Sequence, residues 1–208
     1  MIDLQSNITP ILLSDEGIES HLARLFFNAK DVEFRNVFFG VSAENDLIIS
    51  QANPDHEFPL LLHRDASIYG INTVTGYAEE RYPQQPLMIE APVGRAIQRM
   101  TIFRMNKNLI NKIKLLSNTS NEDTNTALKK EIKEEVVSWS YELKDTPYFG
   151  GEKISIVDIY FIVILWRMKV AGIIFEKEQY DYINTYQDSI FTASYFIESL
   201  SERDRDFL

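Results

Sequence analysis

The sequence predicts an α/β half followed by an all-helical half. Three observations carry this. Up to about residue 81, short apolar runs alternate with segments of helical spacing. Pro83, Pro86 and Pro92 then interrupt any regular element, because proline lacks the N–H and fixes φ. Beyond Pro92 every apolar repeat has the helical period.

Pro10 to Ser14 reads as a short buried strand, and Asp15-Glu16-Gly17 as a turn. Ile18, Leu22, Leu25, Phe26 and Ala29 share one face of a helix over 18–29. Residues 33–39 alternate loosely as a second strand. Residues 40–53 are polar, apart from Leu47-Ile48-Ile49, which fits a short helix. Asn53-Pro54 marks a turn. Phe58 to Leu62 reads as a strand with proline at its second position, and Arg64-Asp65-Ala66 as a hairpin leading to a strand at Ser67–Tyr69. Ile71, Val74 and Ala78 predict a helix over 71–81. This order is that of a thioredoxin-like domain.

The second half opens with a helix over 93–116, carried by Val93, Ala96, Ile97, Met100 and Phe103. A polar loop follows. Leu128, Ile132, Val136, Trp139 and Leu143 then form one helical stripe, which Pro147 and Gly150-Gly151 end. Ser155 to Asp158 has the spacing of a capping box, in which each side chain meets a free backbone N–H. The helix it starts is apolar nearly all round and is predicted to be the central one. Two more helices, near 178–187 and 188–200, complete the chain. The expected domain limits are 1–83, a proline-rich linker at 84–92, and 93–208.

The chain has 208 residues and no cysteine, which excludes disulfides, thiol–disulfide exchange and zinc–cysteine sites. The absence fits a reducing compartment. No basic and apolar leader is visible, and the most apolar stretch, Ile154 to Phe175, is broken by charged residues and reads as core. A cytoplasmic location without membrane attachment is the expectation. The net charge of −10 argues against general nucleic-acid binding, since affinity for phosphates comes from Lys and Arg. Yet between Arg81 and Lys114 seven basic residues face Glu90 alone, giving +6 locally and −16 elsewhere. His21, His56 and His63 lack metal-ligand spacing, and no cofactor motif is present.

Phe58-Pro59, the Ser155–Asp158 box and the element order resemble the glutathione S-transferase superfamily. Within it, Arg81-Tyr-Pro-Gln-Gln-Pro-Leu-Met88, Pro92-Val-Gly-Arg95, Asn53-Pro54, Ser155 to Tyr160, Leu165-Trp-Arg167 and Asp188-Ser189 resemble the stringent starvation branch of RNA-polymerase-associated regulators. The resemblance spans the chain from about residue 10. It implies a cis-proline at Pro59, a dimer, and contact with RNA polymerase holoenzyme through the primary sigma factor, with DNA approached only indirectly. In that branch the linker contact uses a Pro-His-Pro motif. Here Pro83 and Pro86 remain, but Gln84 and Gln85 stand between them.

In a transferase, a Glu/Gln-Ser pair at a helix start holds the γ-glutamyl group, and a Tyr, Ser or Cys after the first strand stabilises the thiolate. The matching positions here read Gly70-Ile71, with Ser14 and Ser20 as the hydroxyl candidates; Asp15 and Glu16 beside Ser14 disfavour a thiolate. Ser14, Phe58, Pro59, Gly70 and Ile71 therefore read as a degenerate glutathione site without catalysis. The partner-binding candidates are Pro83, Gln84, Gln85 and Pro86, together with Arg95 and Arg99, one helical turn apart on a basic face. The alternatives are a transferase of altered thiol or ligand specificity, and a diverged subunit that pairs with a paralogue.

Overall fold

The computed structural model describes residues 7–39, 52–177 and 179–208. The short helix expected around Leu47-Ile48-Ile49 lies outside the described residues. In chain order the elements are β1 (Asn7–Ser14), α1 (Ile18–Ala29), β2 (Arg35–Phe38), β3 (Leu60–Arg64), β4 (Ala66–Tyr69) and α2 (Ile71–Arg81). Then come α3 (Pro92–Met105), a π turn (Asn106–Ile110), α4 (Asn111–Asn118), α5 (Glu122–Ser140), a 3₁₀ turn (Tyr141–Lys144), α6 (Ile156–Val170), α7 (Asp181–Phe191), α8 (Ser194–Ser199) and α9 (Glu202–Arg205). The chain divides into two compact units: Met1–Pro86 with Ser194–Asp206, and Leu87–Ala193 with Phe207–Leu208.

The first unit is built on a four-stranded sheet in the order β2-β1-β3-β4. β1 runs parallel to β2, with Ile11 opposite Arg35, and antiparallel to β3, with Leu13 opposite Leu60. β4 returns along β3 as a hairpin. A helical crossover is what lets two consecutive strands lie parallel, and α1 supplies it. Side chains alternate across a strand, so Ile11, Leu13, Leu60 and Leu62 gather on one face, with Val37, Phe39, Phe58 and Tyr69 packed against them. Leu12 and Leu61 point to the other face and are fully buried. That β1 is buried on both faces explains why its sequence is a continuous apolar run and not an alternating one.

Helix α1 ends in a Schellman turn. The N–H of Val32 donates to the Phe27 carbonyl at 3.1 Å and that of Asp31 to the Asn28 carbonyl at 2.9 Å, with Asp31 left-handed at φ 52°. The same helix carries α8 on its flank. Arg24 Nε donates to the Ser199 carbonyl at 2.7 Å, His21 Nε2 lies 3.1 Å from Ser199 Oγ, and Asn28 donates to the Tyr195 carbonyl. These bonds hold Ser194–Asp206 in the first unit.

The second unit surrounds α6, which buries every residue from Ile156 to Met168 except Arg167. Its capping box is present as the spacing predicts: Asp158 Oδ2 accepts from the Ser155 N–H at 2.8 Å and from its hydroxyl at 2.7 Å. The helix expected over 93–116 is one path in three parts, because the π turn inserts an extra residue between α3 and α4. No helix among the described residues is long and apolar enough to cross a membrane.

Candidate functional site

The residues singled out in the sequence fall in three places. One is the end of the sheet in the first unit, another the linker that closes that unit, and the last helix α3 of the second unit.

At the sheet end, Ser14 is the last residue of β1 and one step beyond the Leu13–Leu60 pair, so it lies level with Pro59. The Phe58–Pro59 bond is cis. The Pro59 carbonyl accepts from the Gly70 N–H at 3.1 Å, which brings the start of α2 to the same end of the sheet. Ser14, Phe58, Pro59, Gly70 and Ile71 are thus brought together. Gly70 adopts φ 79°, a conformation natural to glycine and strained for side-chain-bearing residues, and it caps α2 without a side-chain acceptor. Its carbonyl accepts from the N–H groups of Thr73 and Val74.

The hydroxyls are already engaged. Ser14 is fully buried and donates to Asn36 Oδ1 at 2.8 Å. Ser20 Oγ accepts from the Asp15 N–H at 3.0 Å and donates to the Asp15 carboxylate, so the two residues tie the turn into α1. A hydroxyl committed to an acceptor is poorly placed to donate to a thiolate.

Two neighbours of this place escaped the sequence reading. Buried Asn53 grips Glu57 from both sides, donating to its carbonyl at 2.6 Å and accepting from its N–H at 3.1 Å. The clamp sets Glu57 Oε2 only 3.4 Å from where a Cβ on Gly70 would lie. Beside it, the Tyr69 hydroxyl donates to Asp55 Oδ2 at 2.9 Å; this bond, and then the negative charge of Asp55, raise the Tyr69 pKa. The Asn53-Pro54 turn was the only sign of this in the sequence.

In the linker, Pro83, Gln84, Gln85 and Pro86 are all exposed. The buried Lys30 ammonium holds them from beneath, donating to the Gln85 carbonyl at 2.7 Å and to Glu79 Oε2 at 2.8 Å. Nothing in the local pattern around Lys30 marks it as buried.

On α3, Arg95 and Arg99 are exposed and flank a row of apolar side chains that also face outward: Val93, Ile97, Met100 and Phe103, between 53% and 71% exposed. The opposite face of the helix is buried through Gln98, Ile102 and Met105. Gln98 is used structurally, its Oε1 accepting from the Ile89 N–H at 2.9 Å. Farther along, the Arg104 guanidinium lies 4.7 Å above the Trp139 ring.

Residues 96–192 match the family description "Glutathione S-transferase, C-terminal domain". The chain is 27% identical over 197 residues to the stringent starvation protein A homolog of Haemophilus influenzae, covering 94% of this chain and 92% of that one. It is 25% identical over 205 residues to the homolog of the same name from Coxiella burnetii, covering 98% and 96%. Among solved structures, a Tau class glutathione S-transferase from mango superposes with a TM-score of 0.78 over 95% of this chain and 94% of that one, at 21% identity, a likeness of fold. With its mixed four-stranded sheet and its helical second unit, this chain has the glutathione S-transferase fold and is similar along most of its length to stringent starvation protein A homologs.

Proposed function

We propose that this chain is a cytoplasmic, RNA-polymerase-associated transcription regulator of the stringent starvation protein A type, acting by contact with the polymerase and its primary sigma factor and not by catalysis. One observation carries the non-catalytic part. At the end of the sheet, the helix start that would grip a γ-glutamyl group offers Gly70 and Ile71, and the Ser14 hydroxyl beside it is buried against Asn36. Backbone N–H groups at a helix start attract an anion, but they offer no partner for an ammonium, and the Ser14 hydroxyl proton is already given to Asn36 and not to a thiolate.

The binding surfaces in this reading are the proline-stiffened ridge Pro83–Pro86 and the basic edge of α3 at Arg95 and Arg99. A rigid ridge loses little entropy on docking. The outward apolar row of α3 supports a dimer that covers it, since a helix apolar on both faces is stable where both are buried. Homodimer formation through α3 and α5 is the form proposed, with a paralogue as the alternative partner.

The test is binding of immobilised chain to RNA polymerase holoenzyme across a salt series. Replacing Gln84 and Gln85 by alanine, or Arg95 and Arg99 by glutamate, is expected to weaken binding about tenfold, the arginine pair also flattening the salt dependence. Unchanged affinity in both variants rejects these surfaces.

A second reading, a transferase of altered ligand specificity, is favoured by Glu57. Its carboxylate beside Gly70 offers an ammonium partner from a different loop. Conjugation of a thiol to an electrophile by the purified chain, lost in Glu57→Gln, would establish it.

A further inference from the structure

Behind the linker lies a cleft of about 450 Å³, contained in the first unit. Three segments wall it: the start of β1 with Ile8 and Pro10, the turn after α1 with Asp31 and Glu33, and the end of α2 with Tyr82 and Gln84. We infer that this cleft is a docking pocket for a basic side chain carried on an apolar stretch of a protein partner. The inference rests on the reading above, in that the rim of the cleft is the same linker ridge, and it adds the chemistry of what the ridge receives.

The charges point to a basic guest. The Lys30 side chain is fully buried at the back of the cleft, and its ammonium is held by Glu79 Oε2 at 2.8 Å and the Gln85 carbonyl at 2.7 Å. It braces the wall and its charge is met from within. The exposed Arg81 guanidinium, 5.2 Å above the Tyr82 ring, sets one positive charge on the lining. Asp31 and Glu33, also exposed, set two negative charges there and leave the open cleft negative on balance. A guanidinium or ammonium entering the cleft meets two carboxylates, and its methylene stem lies along Ile8, Pro10 and Val32. An acidic side chain entering by the same route meets like charge. The volume exceeds that of one side chain, which leaves room for apolar neighbours in the guest.

The backbone at Asp31 bears on the same point. It occupies the left-handed position of the Schellman turn, where glycine is the favoured residue. A carboxylate stands there at the expense of turn stability, as at sites where a side chain serves a surface. The same geometry yields a clean variant. Asp31→Gly removes the carboxylate and suits the turn better, so a loss of binding cannot be blamed on unfolding.

The test titrates isotope-labelled full chain with acetyl-Leu-Arg-Leu-amide and, separately, acetyl-Leu-Glu-Leu-amide, following backbone amide shifts. The arginine peptide is expected to move Ile8, Val32 and Gln84 saturably, and to bind about tenfold more tightly than the glutamate peptide. The double variant Asp31→Gly, Glu33→Gln is expected to lose that preference while its melting temperature holds or rises. Equal response to both peptides, or shifts centred elsewhere, overturns the pocket. The double variant is also measured against RNA polymerase holoenzyme. Wild-type affinity there overturns the pocket and leaves the regulator reading standing. Peptide selectivity in a chain that never binds polymerase keeps the pocket and removes the regulator reading.

Discussion

The phenolic hydroxyl of Tyr186 on α7 donates to Oδ1 of Asp158 on α6 at 3.0 Å, and both residues are buried. The same oxygen accepts from the Phe149 N–H at 3.0 Å, while the other oxygen serves Ser155. One carboxylate therefore ties the α6 cap to α7 and to the loop before it. Asp158→Ala strands several buried donors and is expected to destabilise the chain by about 3 kcal/mol in urea denaturation. Burial raises the Asp158 pKa above 3.8, its hydrogen bonds opposing the shift. The folded state thus takes up a proton before the unfolded state does. The associated stability is full below 3.8 and is lost as pH rises through the raised value. The advantage of the native chain over Asp158→Ala is expected to widen as pH falls through that window.

His63 titrates in the opposite sense. The Ile8 carbonyl can only accept, so Nε2 carries the proton and donates to it at 3.0 Å, and Nδ1 accepts from the Tyr77 hydroxyl at 2.8 Å. Burial, then the positive charges of Arg81 and Arg64, lower its pKa below 6.5, against the pull of the Ile8 carbonyl. Its contribution to stability is present above 6.5 and lost as pH falls through the lowered value. The His63 ring proton signal is expected to titrate with a midpoint under 6.5, and His63→Gln to flatten the stability profile there.

Lys30 and Glu79 form an ion pair whose lysine side chain is wholly buried. Removing one partner of such a pair leaves an uncompensated charge, so Lys30→Ala is expected to lose about 3 kcal/mol. Lys30→Met with Glu79→Leu removes both charges and is expected to recover most of that loss. Thermal melts of the three chains check this.

The outward row of α3 gives a prediction about assembly. Ile97→Glu with Met100→Glu places charge on side chains that are 53% and 54% exposed, so the fold is expected to hold. If a second copy covers the row, light scattering will find the variant monomeric and the native chain dimeric. A native monomer contradicts the proposed dimer.

The elements with strong local signals were legible in the sequence. The run at Ile11–Leu13, the period of α1, the Ser155–Asp158 box and the apolar α6 stand where their residues predict them. The π turn at Asn106–Ile110 was not visible, because one inserted residue scarcely alters an apolar period. Nor does the pattern of Ser194–Ser199 reveal that its bonds go to His21, Arg24 and Asn28, a pairing set by tertiary packing across some 170 residues. At the sheet end the missing side chains at Gly70-Ile71 could be read directly. The engagement of Ser14 by Asn36 and the approach of Glu57 could not, since each depends on which residues the fold makes neighbours. The cleft behind the linker shows the same limit, because Lys30 and Asp31 become its brace and its wall only through the turn that ends α1.

The most direct measurement is sedimentation velocity of the purified chain mixed with RNA polymerase holoenzyme. The chain is expected to move into the fast boundary with the polymerase and to leave it when Gln84 and Gln85 are replaced by alanine. A chain that sediments alone at every ratio, beside polymerase that is otherwise active, contradicts it.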